Sequence, residues 1–284
     1  MMAGGAAAYL TLTLVMTYGV HRVPRRPVHE PPDWGRVTDA RIPAADGGSL
    51  EVWRVEPEGP SRGTVLLAHG WSRNRDRMVG RARLFGSLGY TTLIHSARDH
   101  GGSSPYRFMN AFRFAEDIES VMARAGGPVL LYGHSAGAAG AVIAAHRNPR
   151  AVRMLFLEGC YARTRKALVS LYGQHIPVLG KVLAPGIVAW MHLFYLGGMD
   201  RVDPVRLAPD LDLPVLLIQG ERDAAFTVDC ARDLRDAFPA GRAELFVAPG
   251  SDHSSSSLTP EYPVAARAFL GRHDPQETEE RGKR

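Results

Sequence analysis

Pro128-Val129-Leu130-Leu131-Tyr132-Gly133-His134-Ser135-Ala136-Gly137, continuing as Ala138-Ala139-Gly140-Ala141-Val142-Ile143-Ala144-Ala145-His146, decides the reading of this chain. An apolar run leads into a pentapeptide of the form G-x-S-x-G, and a small-residue helix pattern leads out of it. Strand, sharp turn and helix is the context in which such a pentapeptide presents a serine for attack. A serine at the tip of a strained turn leaves little room two positions either side, which accounts for Gly133 and Gly137. Ser135 also opens the helix, so backbone N–H groups and the helix dipole face any negative charge that develops beside it. The pattern arises by chance in chains rich in Gly and Ala, so its weight depends on an acid and a histidine downstream.

Outward from the pentapeptide, the chain alternates strand and helix patterns. Residues 36–44 and 49–55 alternate apolar and polar side chains around Asp46-Gly47-Gly48 and predict an antiparallel edge hairpin. A continuous apolar run at 64–69 predicts a buried parallel strand, and 90–95, 152–157, 213–219 and 242–247 read as further strands. Helix patterns cover 76–88, 110–124, 227–238 and 260–270. This order predicts an α/β fold, a mostly parallel central sheet with helices on both faces. Residues 160–211 break the alternation with a helical, largely apolar insertion whose core is 176–196, interrupted by Pro177, Pro185 and Gly186. Its place after the strand that follows the pentapeptide predicts a cap over a pocket, the plainer alternative being ordinary core helices.

Composition bounds the answer without naming a function. The chain has 284 residues, 45% hydrophobic and 22% charged, enough for one large α/β domain. Its net charge of +5 is carried by arginine, since Lys166, Lys181 and Lys283 are the only lysines. No basic run with interleaved aromatics and no zinc-finger spacing points to nucleic acid, while a basic face would suit anionic lipid. Cys160 and Cys230 have neither C-x-x-C spacing nor neighbouring ligands, which argues against a structural metal site.

The N-terminus reads differently. Residues 1–20 hold no charge and match the ~20 residues of a transmembrane helix. His21, Arg22, Arg25 and Arg26 follow, which by the positive-inside rule would leave the domain in the cytoplasm. No basic stretch precedes the apolar one and no small-residue cleavage site ends it, so it does not read as a cleaved signal peptide. A membrane anchor over 1–20 is therefore expected, with membrane lipid as partner. Gly4, Gly5 and three threonines dilute the segment, and the alternative is an apolar helical tail packed on the domain. Residues 21–35 read as a proline-containing linker, 36–272 as the domain with its cap at about 160–211, and 273–284 as a flexible charged tail.

Five motifs together resemble the α/β-hydrolase superfamily across residues 37–270: His69-Gly70-Trp71, Arg98-Asp99-His100-Gly101-Gly102-Ser103, the pentapeptide, Gly220-Glu221-Arg222-Asp223 and Ser251-Asp252-His253. The nearest branch looks like the acylglycerol-lipase and serine-aminopeptidase group. The stretch after His95 departs from that branch's Asp-x-Arg-Gly-His-Gly-x-Ser and reads Ser96-Ala97-Arg98-Asp99-His100-Gly101-Gly102-Ser103. In the superfamily the triad runs serine, acid, histidine, here Ser135, Asp223 and His253. Asp223 follows the strand at 213–219, and His253 is the one histidine of eleven in the loop after the last strand. Glu158 is the reserve acid, while Asp229 and Asp233 read as solvated helix residues and Asp252 points away from the ring.

The resemblance further implies oxyanion donors on the backbone N–H of Ala136 and Trp71. It places Trp71, His134 and His100 near substrate, although His69 and His134 occupy loop-supporting positions. The expected activity is hydrolysis of a carboxylic ester, of hydrophobic or lipid-like acyl type, through an acyl-enzyme on Ser135, with neither metal nor organic cofactor. Amidase, peptidase or thioesterase action with the same triad, or a non-catalytic membrane binding protein, are the alternatives.

Overall fold

The structure, a computed structural model, describes residues 2–175 and 179–274. Eight strands form one sheet: β1 (Arg36–Pro43), β2 (Ser49–Glu56), β3 (Thr64–Ala68), β4 (Thr91–His95), β5 (Val129–His134), β6 (Val152–Glu158), β7 (Val215–Gly220) and β8 (Ala243–Ala248). Their spatial order is β1-β2-β4-β3-β5-β6-β7-β8. β1 and β2 pair antiparallel around the expected turn, and β2 meets β4 antiparallel. All other neighbours are parallel, with Ala68 opposite Gly133 where β3 ends beside β5. The central strands are apolar on both faces because both faces are covered. One face packs Leu66, Leu131, Leu155 and Leu217 with Ile118 and Val142. The other packs Leu67, Tyr132, Phe156 and Ile218 with Phe85 and Phe269.

Helices cover these faces: α1 (Met2–Val20), α2 (Val79–Ser87), α3 (Ala111–Met122), α4 (Ala136–Arg147), α5 (Thr164–His175), α6 (Gly180–Phe194), α7 (Pro204–Leu207), α8 (Val228–Arg235) and α9 (Glu261–His273). Ile118 lies on α3 and Val142 on α4, whereas Phe85 lies on α2 and Phe269 on α9. Asn110 caps α3 by accepting the Arg113 N–H at 3.0 Å, and Thr227 caps α8 through the Cys230 N–H. The helix expected from residue 76 opens instead as a 3-10 turn, Arg75–Met78, capped by Asn74, before α2 begins. Between β6 and β7 the described residues hold α5, α6, α7 and short 3-10 turns without a strand. Residues 176–178 of the expected apolar run lie outside the described residues, and the rest is mostly α6, with Pro185 inside it.

α1 does not stand apart from the domain. It lies along α6, where Tyr9, Met16 and Val20 pack with Leu183, Ile187, Val188 and Met191. The Tyr9 hydroxyl donates to the Val182 carbonyl at 2.8 Å, and the Trp190 indole N–H reaches the Leu10 carbonyl and Thr13 Oγ1, each at 3.2 Å. Among the described residues no helix is long and apolar enough to cross a membrane. The spanning anchor expected of residues 1–20 is therefore not supported, and the alternative of an apolar helix packed on the domain describes what is seen. The reason lies in Thr13 and Thr17, fully buried against α6 with hydroxyls on carbonyls of their own helix, and in Gly4 and Gly5, which lower the apolarity. The expected cytoplasmic orientation required a span and lapses with it.

The proline-rich stretch after α1 is also seated. Asn74 Nδ2 donates to the Arg26 and Pro27 carbonyls at 3.2 and 3.1 Å, and the His29 N–H donates to Asp76 at 2.7 Å. Of the expected tail, residues 275–284 lie outside the described residues, whereas Asp274 is buried and accepts the Tyr90 hydroxyl at 2.5 Å.

Candidate active site

β5 delivers Ser135 to a turn that only a strained backbone can make. Its φ of 55° and ψ of −118° lie where non-glycine residues are rare. The turn is held because the Ser135 N–H donates to the Glu158 carbonyl at 2.8 Å. Gly133 and Gly137 are small for a reason more specific than clearance of the serine. A Cβ on Gly133 would come within 2.5 Å of the Ala138 backbone, and one on Gly137 within 2.4 Å of the His69 carbonyl. Both would collide with backbone, so the elbow, the start of α4 and the end of β3 interlock there.

The loop after β7 carries Asp223, and the loop after β8 carries His253. The structure brings both to Ser135. His253 Nδ1 donates to Asp223 Oδ2 at 2.7 Å, and His253 Nε2 lies 3.0 Å from Ser135 Oγ. Asp223 is buried, and its other oxygen accepts the N–H groups of Ala225 and Phe226, both at 2.9 Å. Burial alone would raise its pKa. The hydrogen bond and charge of His253, with further donors at Phe226 and Gln219, reverse this and hold it below the ordinary carboxylate value. The other acids are engaged elsewhere. Glu158 pairs with Arg81 at 2.5 and 2.7 Å, Asp252 caps its own loop, and Asp229 and Asp233 pair with Arg232 and Arg163 on exposed surface.

Two backbone N–H groups near the elbow make no hydrogen bond among the described residues. Ala136 is the first residue of α4 and has no intrahelical acceptor. The Trp71 N–H makes no hydrogen bond among the described residues. The Trp71 loop is fixed by two neutral imidazoles. His69 donates from Nδ1 to the Gly70 carbonyl at 2.7 Å and accepts the Ala97 N–H at Nε2 at 2.9 Å. His100 donates from Nδ1 to the Arg98 carbonyl at 2.8 Å and accepts the Ser72 N–H at Nε2 at 3.2 Å. Burial lowers His100 to about 4 and His69 well below its ordinary value, so both stay uncharged at neutral pH.

His100 and His134, expected near substrate, are placed by the structure as follows. Both are buried, and His100 uses both nitrogens on the Trp71 loop. His134 lies beneath the elbow, lowered to about 4 by burial, and its Nε2 donates to the His253 carbonyl at 3.0 Å. Each imidazole holds a loop that carries a site residue.

Two apolar clusters form around the first residues of α4. Trp71, Tyr106, Met109 and Phe114 pack with Ala136 on one side, and Tyr161 and Phe226 pack with Ala139 on the other. The Phe226 ring stands edge-on to His253 at 4.9 Å. Sequence reasoning missed this ring, and also Gln219, whose amide donates to Asp223 at 3.0 Å. It missed Gly159, at φ 55°, where a Cβ would sit 3.0 Å from His253 Cε1. It missed His21 at the end of α1, whose ring lies 6.3 Å from Trp71 and 2.6 Å, at Nε2, from the Tyr195 hydroxyl. Each neighbours a motif or an element end, but nothing in its residue type marks it.

The chain is similar to several known proteins. A family model described as serine aminopeptidase, S33, matches residues 59–190. A monoacylglycerol lipase of Mycolicibacterium smegmatis is 26% identical over 242 residues, 72% of this chain and 84% of that protein. Among solved structures, an esterase of Pyrococcus furiosus superposes with a TM-score of 0.69 at 18% identity, covering 88% of this chain and 99% of that one. A bacterial membrane phospholipase A superposes with a TM-score of 0.64 at 19% identity, covering 96% of each chain.

Proposed function

Because the chain is an α/β-hydrolase of the esterase and lipase kind, we propose that it cleaves carboxylic esters with hydrophobic acyl groups through an acyl-enzyme on Ser135. The observation that carries this is the unbroken hydrogen-bond chain from Asp223 through His253 to Ser135, at 2.7 and 3.0 Å. His253 presents an unprotonated Nε2 to the serine hydroxyl because its Nδ1–H is engaged by Asp223. As Ser135 Oγ bonds to the acyl carbon, its proton passes to Nε2, and the oxyanion lies against the Trp71 and Ala136 N–H groups. Collapse breaks the acyl C–O bond, and Nε2 returns the proton to the leaving alkoxide. A water molecule, deprotonated by the same nitrogen, then releases the acid and restores the serine. The apolar clusters packed on Ala136 and Ala139, next to Ser135 in the chain, support an acyl chain over a polar one.

The test is labelling by a fluorophosphonate probe together with hydrolysis of nitrophenyl esters of rising chain length, with aminoacyl amides and thioesters alongside. Ser135→Ala should remove labelling and lower hydrolysis by at least ~10³-fold while the protein stays folded. A folded wild type that neither labels nor hydrolyses any of these acyl compounds would leave a non-catalytic binding protein. Faster turnover of the amides or thioesters would move the substrate class within the same mechanism.

A second reading concerns lipid. Leu10, Leu12, Val15 and Tyr18 of α1 and Val182, Leu193 and Phe194 of α6 are exposed apolar side chains, and Arg22, Arg25 and Arg26 follow α1 directly. We infer that this face of the cap rests on an anionic lipid surface without crossing it. Flotation of the full chain with phosphatidylglycerol vesicles, and not with phosphatidylcholine vesicles, is the expected result. Flotation with neither rejects the reading.

A further inference from the structure

A pocket of about 420 Å³ lies between the Trp71 loop, the 3-10 turn that follows it and the segment after α1. Three guanidinium groups line it: Arg26 from that segment, Arg73 from the loop and Arg77 from the turn. None of the three is ion-paired among the described residues. Asp76 is the one carboxylate in the lining, so the three arginines outnumber it by two formal charges. Its walls are built: Asn74 holds the Arg26 and Pro27 carbonyls, and Asp76 holds the His29 N–H. Arg77 Nε is buried and has no hydrogen-bond partner among the described residues. A pocket of this volume holds a small ligand group, and arginines pair with phosphate oxygens through parallel N–H donors.

Its position relates it to the chemistry. Arg73 is two residues beyond Trp71, and the Arg77 guanidinium donates to the carbonyl of Ser254, next to His253. The pocket therefore adjoins both the loop that carries an oxyanion donor and the loop that carries the base. His253 hands its proton to the leaving alkoxide, so the alcohol half of the ester lies on the His253 side.

We propose that this pocket binds a phosphate carried on the alcohol half of the substrate, so that the preferred esters are acyl-glycerol phosphates and related anionic lipids. The proposal rests on the acyl-enzyme reading of Ser135 and adds to it the identity of the leaving alcohol. The bond broken is still the acyl C–O bond. The alkoxide of glycerol phosphate takes its proton from His253, and the phosphate ester bond is untouched.

The test has two arms, both on the full chain and on the double variant Arg26→Gln, Arg73→Gln. In the first, calorimetric titration measures binding of glycerol phosphate and of inorganic phosphate. Glycerol phosphate should bind, and the double variant should bind it at least about tenfold more weakly, as expected for lost charge-assisted hydrogen bonds. In the second, kcat/KM is compared for oleoyl-glycerol phosphate and oleoyl-glycerol. The ratio should favour the phosphate in the wild type and fall at least about tenfold in the variant. Glycerol phosphate binding that ignores the arginines, or an unchanged ratio, overturns the proposal and leaves the hydrolase reading standing. Inorganic phosphate that binds as tightly as glycerol phosphate, with no shift in the ratio, also overturns it and identifies a free-anion site. If the arginines govern glycerol phosphate binding but the fluorophosphonate does not label and neither ester is cleaved, it is the acyl-enzyme reading that fails.

Discussion

At the scale of residues, the elbow depends on a charge buried behind it. Burial would drive the Glu158 carboxyl up, but the Arg81 guanidinium and the Tyr132 hydroxyl hold it at about 2, while the Glu158 carbonyl fixes the Ser135 N–H. Removing one partner of such a pair costs more than removing both, because the survivor is left charged and unpaired. Arg81→Leu should therefore destabilise the fold by about 3–5 kcal/mol, a melting point lower by roughly 6–20 °C for a domain of this size. The double variant Arg81→Leu, Glu158→Leu should recover part of that loss. A thermal melt of the two reads it, and a double variant no better than the single one would show that the loss does not come from an unpaired Glu158 charge. Asp223→Asn probes the other acid. With the carboxylate gone the imidazole loses its enforced tautomer, and kcat should fall by about 10⁴-fold with the melting point little changed.

At the scale of elements, α1 is held by fit as well as by polarity. A Cβ on Gly186 would lie 2.7 Å from both Thr13 Cγ2 and the Tyr9 hydroxyl, so Gly186→Val should lift α1 off α6. Amide exchange should then speed up on both facing helices and not in the central strands, and deletion of residues 1–20 should bare Leu183, Ile187, Val188 and Met191 and raise binding of a hydrophobic dye. Slow exchange throughout α1 in Gly186→Val would mean that the helix is held some other way. This helix also shows where sequence reading stops. An uninterrupted apolar run such as Val129–Tyr132 can only be covered on both faces, and Ser135, Asp223 and His253 stand at strand ends in an order that one sequence displays. A diluted apolar helix reads the same whether its partner is lipid or another helix, and its partner here lies some 170 residues away. The roles of His100 and His134 are hard to read for a related reason. Sequence gives a histidine's place in a motif but not the acceptor that takes its proton, and here those acceptors are the Arg98 and His253 carbonyls. Gly159 and Phe226 were invisible because only the folded chain sets them against the His253 ring.

At the scale of the whole molecule, the interior is arranged around imidazoles that must stay neutral. Burial lowers His95, His100 and His134 each from 6.5 to about 4, and Asp223 and Glu158 are also held below their ordinary values. For a group whose folded pKa is depressed, the unfolded chain binds the extra proton between the two pKa values, so stability is present above the unfolded value and is lost as pH falls. For the histidines that window runs from 6.5 down to about 4, and each contributes about 1.4 kcal/mol per pH unit within it. The carboxylates act in the same direction at lower pH. Denaturant unfolding at steps from pH 7.5 to pH 5 should show stability falling, with proton uptake on unfolding near pH 5. A competing cause must be separated, because the net charge of +5 grows as pH falls and self-repulsion also destabilises. Repulsion between surface charges is screened at about 1 M salt, where the Debye length is near 3 Å, whereas protonation of a buried ring is not. The pH dependence should therefore persist in about 1 M salt and become shallower by about 1.4 kcal/mol per pH unit in His95→Phe. A slope that disappears in salt, or that His95→Phe leaves unchanged, would assign the acid sensitivity to surface charge and not to the buried histidines.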